Sequence, residues 1–64
     1  MSIQELVNIL RLVGYKDKIA IWDSIRSDLV CKFNIEKEVP IKLRNLEINC
    51  VEAYDNEIVI EVKV

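Results

Sequence analysis

The last eight residues of this chain alternate strictly, and this pattern constrains the fold more than any other. Ile58, Ile60, Val62 and Val64 take every second position, and the positions between them are mostly charged. Because successive side chains of a β-strand point to opposite sides, the alternation predicts a strand over residues 57–64 with one buried face. Such a strand needs a sheet to pair with, so the fold must contain further strands.

An N-terminal helix is predicted over residues 3–13. Ser2 and Glu5 have the spacing of a capping box, in which each side chain accepts a hydrogen bond from the other residue's backbone N–H. Apolar side chains then recur at helical spacing, and Gly14 suits the left-handed position just past a helix end. The apolar residues are Ile3, Leu6, Val7, Leu10 and Val13, with Ile9 and Leu12 widening the stripe.

Four strands are predicted after the helix, in two hairpins. Residues 18–23 and 28–34 alternate as strands do, and the four-residue link between them favours antiparallel pairing. A third strand begins at Leu46 or Glu47 and ends at Tyr54, and it turns back through residues 55–56 into the last strand. Between the hairpins, Pro40 favours a short helical turn over residues 41–44, with a strand as the alternative.

The apolar pattern of the third strand slips by one position. Ile48 and Cys50 share one parity, whereas Val51 and Ala53 share the other. A β-bulge near Asn49 and Cys50 would bring Ile48, Val51 and Ala53 onto one face. In the second strand the alternation is uninterrupted, which assigns one face to Leu29, Cys31 and Phe33 and the other to Val30 and Lys32.

The element order predicts a single α+β domain over residues 1–64. We expect the N-terminal helix to pack on one face of a four-stranded, mainly antiparallel sheet, in the order α-β-β-short turn-β-β. The helix should cover the face that bears Ile58 and Ile60. One helix covers only one face of a sheet, so the opposite face is expected to remain open.

This uncovered face is the candidate binding surface. If Ile19 and Ile21 face the helix, Trp22 lies on the open side, and large aromatic side chains concentrate in protein interfaces. The alternative is that Trp22 faces the helix and fills the core. The candidate partner-binding residues are Trp22, Ala20, Val30, Val59, Glu57 and Glu61.

Composition favours a partner for this surface. Hydrophobic residues make up 52% of a 64-residue chain. Such an excess is compatible with a well-filled monomer core or with apolar surface that a partner covers. We expect the second, with a homodimer or another protein as the partner. Residues 47–64 carry five acidic and one basic side chain, which we interpret as charges that keep an exposed strand face solvated; the alternative is that this hairpin faces a basic partner.

Enzymatic chemistry is not expected. The chain has no His, which removes the commonest general base and a frequent zinc ligand. Its two cysteines do not suffice for a four-ligand structural zinc site, and its single Gly excludes a Gly-rich phosphate loop. We therefore expect no enzyme activity, no cofactor and no metal.

Net charge, the length of apolar runs and the cysteines indicate which partners and which compartment to expect. A net charge of −2 argues against a dedicated nucleic-acid binder, and no run is long enough to span a membrane. We expect a cytoplasmic protein with Cys31 and Cys50 reduced, the alternative being a disulfide between neighbouring strands. A nucleic-acid-binding module is the alternative function, and it would require Lys16, Lys18, Arg26, Lys32, Lys42 and Arg44 to gather near Trp22 or Tyr15.

Three short segments resemble those of very small proteins encoded by prophages and conjugative elements of Gram-positive bacteria. They are Ile21-Trp22-Asp23, Glu38-Val39-Pro40 and the alternating residues 55–62. The resemblance spans residues 18–64. It implies an accessory protein of a phage or mobile element that binds a host or viral protein, such as a bacterial defence component, and it implies no activity or site residue. A regulatory or structural subunit of a larger assembly is a further alternative.

Overall fold

A computed structural model describes residues 1–63 of the chain. Its elements are helix α1 (Ile3–Leu12), strands β1 (Lys18–Asp23), β2 (Asp28–Asn34), β3 (Ile48–Tyr54) and β4 (Glu57–Val62), and a 3₁₀ turn (Ile41–Leu43). The predicted small α+β fold, with one N-terminal helix and a four-stranded sheet, is confirmed. The strand predicted over residues 57–64 ends at Val62, and Val64 lies outside the described residues.

The strands lie in the order β2-β1-β4-β3. As predicted, β1 pairs antiparallel with β2, and β3 pairs antiparallel with β4. The two hairpins join through a parallel pairing of β1 with β4, in which Ile19 lies beside Ile58 and Ile21 beside Ile60. The sheet is therefore mixed, and its two central strands come from distant parts of the chain.

The predicted bulge in β3 is confirmed. The register passes from Ile48 opposite Val62 to Cys50 opposite Glu61, which leaves Asn49 as the extra residue. As a result Ile48, Val51 and Ala53 lie opposite Val62, Ile60 and Ile58 and share their face of the sheet.

A second bulge lies in β2, where none was expected. The register passes from Ile21 opposite Cys31 to Trp22 opposite Leu29, so Val30 is the extra residue. The shift moves Leu29 to the face of Trp22 and away from that of Cys31. The shared face predicted from uninterrupted alternation is therefore wrong for Leu29.

Helix α1 begins with the predicted capping box. The Ser2 hydroxyl accepts from the Glu5 N–H at 3.2 Å, and the Glu5 carboxylate accepts from the Ser2 N–H at 3.0 Å. This donation from the Ser2 backbone lowers the pKa of the Glu5 carboxyl. The contact therefore contributes to stability above the ordinary pKa of Glu, and the contribution is lost as the pH falls through the lowered pKa.

We expect Ser2→Ala to lower the free energy of unfolding by about 1 kcal/mol, because the Glu5 N–H loses its acceptor at the helix N-terminus. In a domain of this size the change corresponds to a fall in Tm of about 4–8 °C. Thermal unfolding at neutral pH, followed by circular dichroism, measures it. Ser2→Thr keeps a capping hydroxyl and should retain most of the stability; equal losses in both variants would contradict the cap.

The core lies between the sheet and two covering segments. One is α1, and the other is the crossover segment (residues 35–46), which leads from edge strand β2 to edge strand β3. We call the sheet face beneath them the inner face and the opposite one the outer face. The buried core comprises Ile3, Val7, Ile19, Ile21, Ile35, Val39, Ile58, Ile60 and Val62.

Hydrogen bonds fasten the crossover segment to α1. The Arg11 guanidinium donates to the carbonyl oxygens of Ile35 at 3.0 Å and Lys37 at 2.7 Å. Near the other end, the Ile3 N–H donates to the Leu46 carbonyl at 3.1 Å. The helix and the crossover segment thus form one cover over the inner face.

The apolar stripe of α1 is narrower than predicted. Leu12 is 86% exposed, Val13 74% and Ile9 43%, whereas Ile3 and Val7 are fully buried. A helix lying on a sheet turns only one side to the core, and Ile9 and Leu12 lie on the other side of the helical turn. Val13 follows the last residue of α1 and adds nothing to the core.

Candidate functional site

The outer face has no covering element among residues 1–63. Its side chains come from all four strands, because the parallel β1–β4 pairing places the two hairpins in one continuous sheet. Alternation along each strand, corrected for the two bulges, assigns the residues of this face. They are Leu29, Lys32 and Asn34 of β2, Lys18, Ala20 and Trp22 of β1, Glu57, Val59 and Glu61 of β4, and Cys50, Glu52 and Tyr54 of β3.

Trp22 lies on the outer face, which settles the orientation that the sequence left open. Its chain neighbours Ile21 and Asp23 are buried, and Trp22 lies between Leu29 of β2 and Glu61 of β4. The indole is half-buried. Part of the ring therefore packs on the sheet, and the remainder faces solvent.

Four further residues were predicted to contact a partner, three in β4 and one in β2. Val59 and Glu61 are half-buried, as is Glu57 at the start of the strand. Val30, the extra residue of the β2 bulge, is 41% exposed next to the Trp22 position. The strand register places Glu57, Val59 and Glu61 on the outer face, whereas Val30 has no partner in β1 that assigns it to a face.

Ala20 is also on the outer face, but it is only 2% exposed. It lies between Lys32 of β2 and Val59 of β4. The Lys32 ammonium reaches across β1 to the Glu57 carboxylate, at 3.4 Å. Ala20 therefore forms part of the floor beneath longer side chains and offers almost no surface of its own.

Sequence reasoning missed two outer-face residues, Glu52 and Tyr54 of β3. Tyr54 is 60% exposed, and its hydroxyl donates to the Glu52 carboxylate at 3.1 Å. A signal for both was present. The bulge that turns Val51 and Ala53 inward also turns Glu52 and Tyr54 outward, since the two pairs have opposite parity.

These residues form a hollow on the outer face with a volume of about 270 Å³. Val59 of β4 lies opposite Ala20 of β1 and Glu52 of β3, and the two aromatic residues lie diagonally from it, Trp22 opposite Glu61 and Tyr54 opposite Glu57. Glu52 and Glu61 complete the lining. We call this feature the outer-face hollow.

The carboxylates make this part of the outer face electrostatically negative. The hydrogen bond to Glu52, together with the charges of Glu52, Glu61 and Glu57, raises the pKa of the Tyr54 hydroxyl. Desolvation and the neighbouring Glu61 carboxylate raise the pKa of the Cys50 thiol. The Tyr54 shift has the direction expected near negative charges, which favour a cation, whereas desolvation is the first cause of the Cys50 shift and disfavours a charge of either sign.

Cys50, Glu52 and Glu61 also place three potential metal-ligand atoms within 4.8 Å of one another. A soft metal ion would have to displace the proton of the Cys50 thiol, and the raised pKa of this thiol makes that displacement less favourable. Hard cations such as Ca²⁺ take six or more oxygen ligands. Two carboxylates on an open sheet surface are a sparse set for that purpose, so these side chains are best described as an acidic margin of the hollow.

The two cysteines are free and lie far apart in the sheet. Cys31 belongs to edge strand β2 and packs against the core, whereas Cys50 belongs to the opposite edge strand β3 and lies beside Glu61 on the outer face. Burial raises the pKa of the Cys31 thiol. The strands are not neighbours, so the condition for the alternative disulfide is not met.

The basic side chains are dispersed over both sides of the sheet. Lys18 and Lys32 belong to the outer face, whereas Lys42 and Arg44 belong to the crossover segment on the inner side. Arg44 lies 3.5 Å from the Glu38 carboxylate, which partly offsets its charge. These four of the six basic residues named above therefore do not share one surface.

Comparisons with protein-family models, curated proteins and solved structures give no match for this chain. Within residues 1–63, no helix combines the length and the apolar content needed to cross a membrane. The outer face is therefore interpreted from its own geometry.

Proposed function

We propose that this protein is a small, non-catalytic interaction module that binds another protein through the outer face of its sheet. The observation that carries the proposal is the half-buried Trp22, which lines an open hollow together with Val59 and Tyr54. Large aromatic side chains contribute much of the binding energy in protein interfaces, because they bury a wide apolar area with few rotatable bonds.

The proposal includes a cellular setting. The resemblance to prophage and conjugative-element proteins implies an accessory protein whose partner is a host protein, such as a defence component. The free thiols of Cys31 and Cys50 are compatible with a reducing compartment such as the cytoplasm. We therefore propose an accessory protein of a phage or mobile element that acts in the cytoplasm.

A second copy of the chain is the simplest partner for the outer face. The sheet has four strands of six or seven residues each, so this face measures roughly 20 by 20 Å. Two such faces would bury on the order of 1,000 Å² in total, which is at the low end for a specific interface. We therefore propose a weak homodimer that a tighter-binding protein displaces.

We expect Trp22→Ala to weaken partner binding by about thirtyfold, the effect of losing a central aromatic side chain. The free energy of unfolding should fall by only about 1 kcal/mol, because the indole lies outside the core. Sedimentation velocity from micromolar to millimolar concentration measures self-association. Isothermal titration calorimetry with the purified partner measures binding to a different protein.

Ile25→Ala is the matched control. Ile25 is an apolar residue of the β1–β2 turn, is 66% exposed and is not part of the outer face. Host proteins captured by the wild type are purified, and their affinities for the wild type, Trp22→Ala and Ile25→Ala are measured directly. Unchanged affinity in Trp22→Ala, or an equal loss in both variants, would refute the proposed function. A loss of stability as large as that of a core variant would also refute it.

A further inference from the structure

We propose that the outer-face hollow receives an arginine side chain of the protein partner. The inference rests on the proposed function and specifies the chemistry of its binding site. The hollow combines two aromatic rings with two carboxylates around an aliphatic floor. A guanidinium group suits such a lining, because it is flat, permanently charged, weakly hydrated and carried on an apolar stem.

The aromatic side chains provide the first part of the argument. Trp22 and Tyr54 line the hollow from β1 and β3, with Val59 of β4 between them. A cation near the face of a tryptophan or tyrosine ring is attracted by the ring quadrupole, and arginine makes this contact more often than lysine. Val59 offers an apolar surface to the methylene groups of the entering side chain.

The carboxylates provide the second part. Glu52 is oriented by the Tyr54 hydroxyl, which donates to one of its oxygens at 3.1 Å and leaves the other available. Glu61 is half-buried, so its charge is less screened by water than a fully exposed one. Among residues 1–63, neither carboxylate forms an ion pair with a Lys or Arg side chain, whereas Glu57 is already paired with Lys32.

The arginines of this chain form contacts outside the outer-face hollow. Arg11 donates to two carbonyls of the crossover segment, Arg44 donates to the Val39 carbonyl at 2.8 Å, and Arg26 lies 3.9 Å from the Asp23 carboxylate. These are the three arginines of the sequence. None of them lines the hollow of its own chain, and we assign the occupant to the tighter-binding partner protein, in a basic segment that complements the acidic β3–β4 hairpin.

A peptide titration tests this inference. The probe is a Gly/Ser peptide containing three spaced arginines, and two matched peptides carry lysine or citrulline, the neutral isostere of arginine. Binding is followed by ¹⁵N amide shifts and by the fluorescence of Trp22, the single tryptophan. EDTA is present, so that a metal ion on the carboxylates plays no part. We expect saturable shifts at Val59 and Glu61 with arginine, about fivefold weaker binding with lysine, and loss of binding with citrulline.

A charge-removing variant sharpens the test. Glu52→Gln combined with Glu61→Gln should weaken binding of the arginine peptide by about tenfold, because two charge-assisted contacts are lost. Glu36→Gln is the control, since Glu36 is an exposed carboxylate that precedes the 3₁₀ turn and lies outside the hollow. It should leave the affinity unchanged.

Several results would overturn the inference. They are equal binding of the citrulline or lysine peptide, amide shifts confined to other surfaces, and an unchanged affinity in the Glu52→Gln, Glu61→Gln double variant. The failure of the inference is distinguishable from that of the proposed function. If Trp22→Ala weakens binding of the purified partner and the double variant does not, the interaction face stands and the arginine site is wrong.

Discussion

Replacement of Ile60 by alanine is expected to lower the free energy of unfolding by about 2–5 kcal/mol, the usual effect of removing a large aliphatic side chain from a closed core. Ile60 is 0% exposed and lies in β4 between Ile21 of β1 and Val51 of β3. A domain of this length has a total stability of roughly 3–10 kcal/mol. The variant should therefore lose about half of the stability of the domain.

Urea denaturation followed by circular dichroism measures this effect, and Ile41→Ala is the matched control. Ile41 has the same side chain but is 78% exposed at the start of the 3₁₀ turn. Its replacement should change the stability by less than about 0.5 kcal/mol. Similar losses in the two variants would mean that Ile60 does not lie in the core described above.

Asp23→Ala is expected to lower the free energy of unfolding by about 2–3 kcal/mol. Asp23 is a charged residue that is only 4% exposed, at the end of β1. One of its carboxylate oxygens accepts from the N–H groups of Ile25 at 2.9 Å and Arg26 at 3.3 Å. Alanine would leave both donors of the β1–β2 turn without this acceptor, and the adjacent Ser27 already has a positive φ of 56°.

Two comparisons isolate the role of this carboxylate in urea denaturation. Asp23→Asn keeps an acceptor oxygen of the same geometry and should lose less stability than Asp23→Ala. Asp28→Ala removes an exposed carboxylate that lies opposite Asp23 in β2, and it should change the stability by less than about 0.5 kcal/mol. Equal stabilities of the Asp23→Ala and Asp28→Ala variants would show that the turn does not depend on Asp23.

Individual elements of this fold could be predicted because their signals are local. The capping box of Ser2 and Glu5 fixes the start of α1, and the parity slip between Cys50 and Val51 has a simple structural solution in a bulge. The bulge in β2 has no such signal. Its sequence alternates without interruption, and the extra residue Val30 becomes apparent only once β2 is paired with β1.

The strand order could not be predicted from the sequence. Two hairpins can join through several pairs of edges, and periodicity within each strand does not distinguish between them. The parallel pairing of β1 with β4 depends on the crossover segment passing over the inner face. That path is held by the burial of Ile35 and Val39 and by the hydrogen bonds of Arg11, which are contacts between residues distant in sequence.

The candidate site was predictable to the same extent as the fold. The placement of Trp22 and Val59 on one face follows from strand parity once Ile19 and Ile21 are assigned to the core. Glu52 and Tyr54 line the hollow only because β3 lies next to β4. Ala20 is shielded from solvent because the Lys32 side chain crosses over β1 from the neighbouring strand. Both are consequences of tertiary structure.

The central β1–β4 pair also determines how the proposed binding surface is assembled. An isolated two-stranded hairpin is only marginally stable in water, so neither half of the molecule is expected to persist without the other. The pairing of β1 with β4 joins residues that are far apart in sequence, and contacts of this kind form slowly during folding. Because the outer-face hollow contains residues of both hairpins, a ligand of the kind proposed above would contact both of them at once. A ligand that binds only this folded hollow would therefore stabilise the whole domain, by RT ln(1 + [L]/Kd) at a free ligand concentration [L].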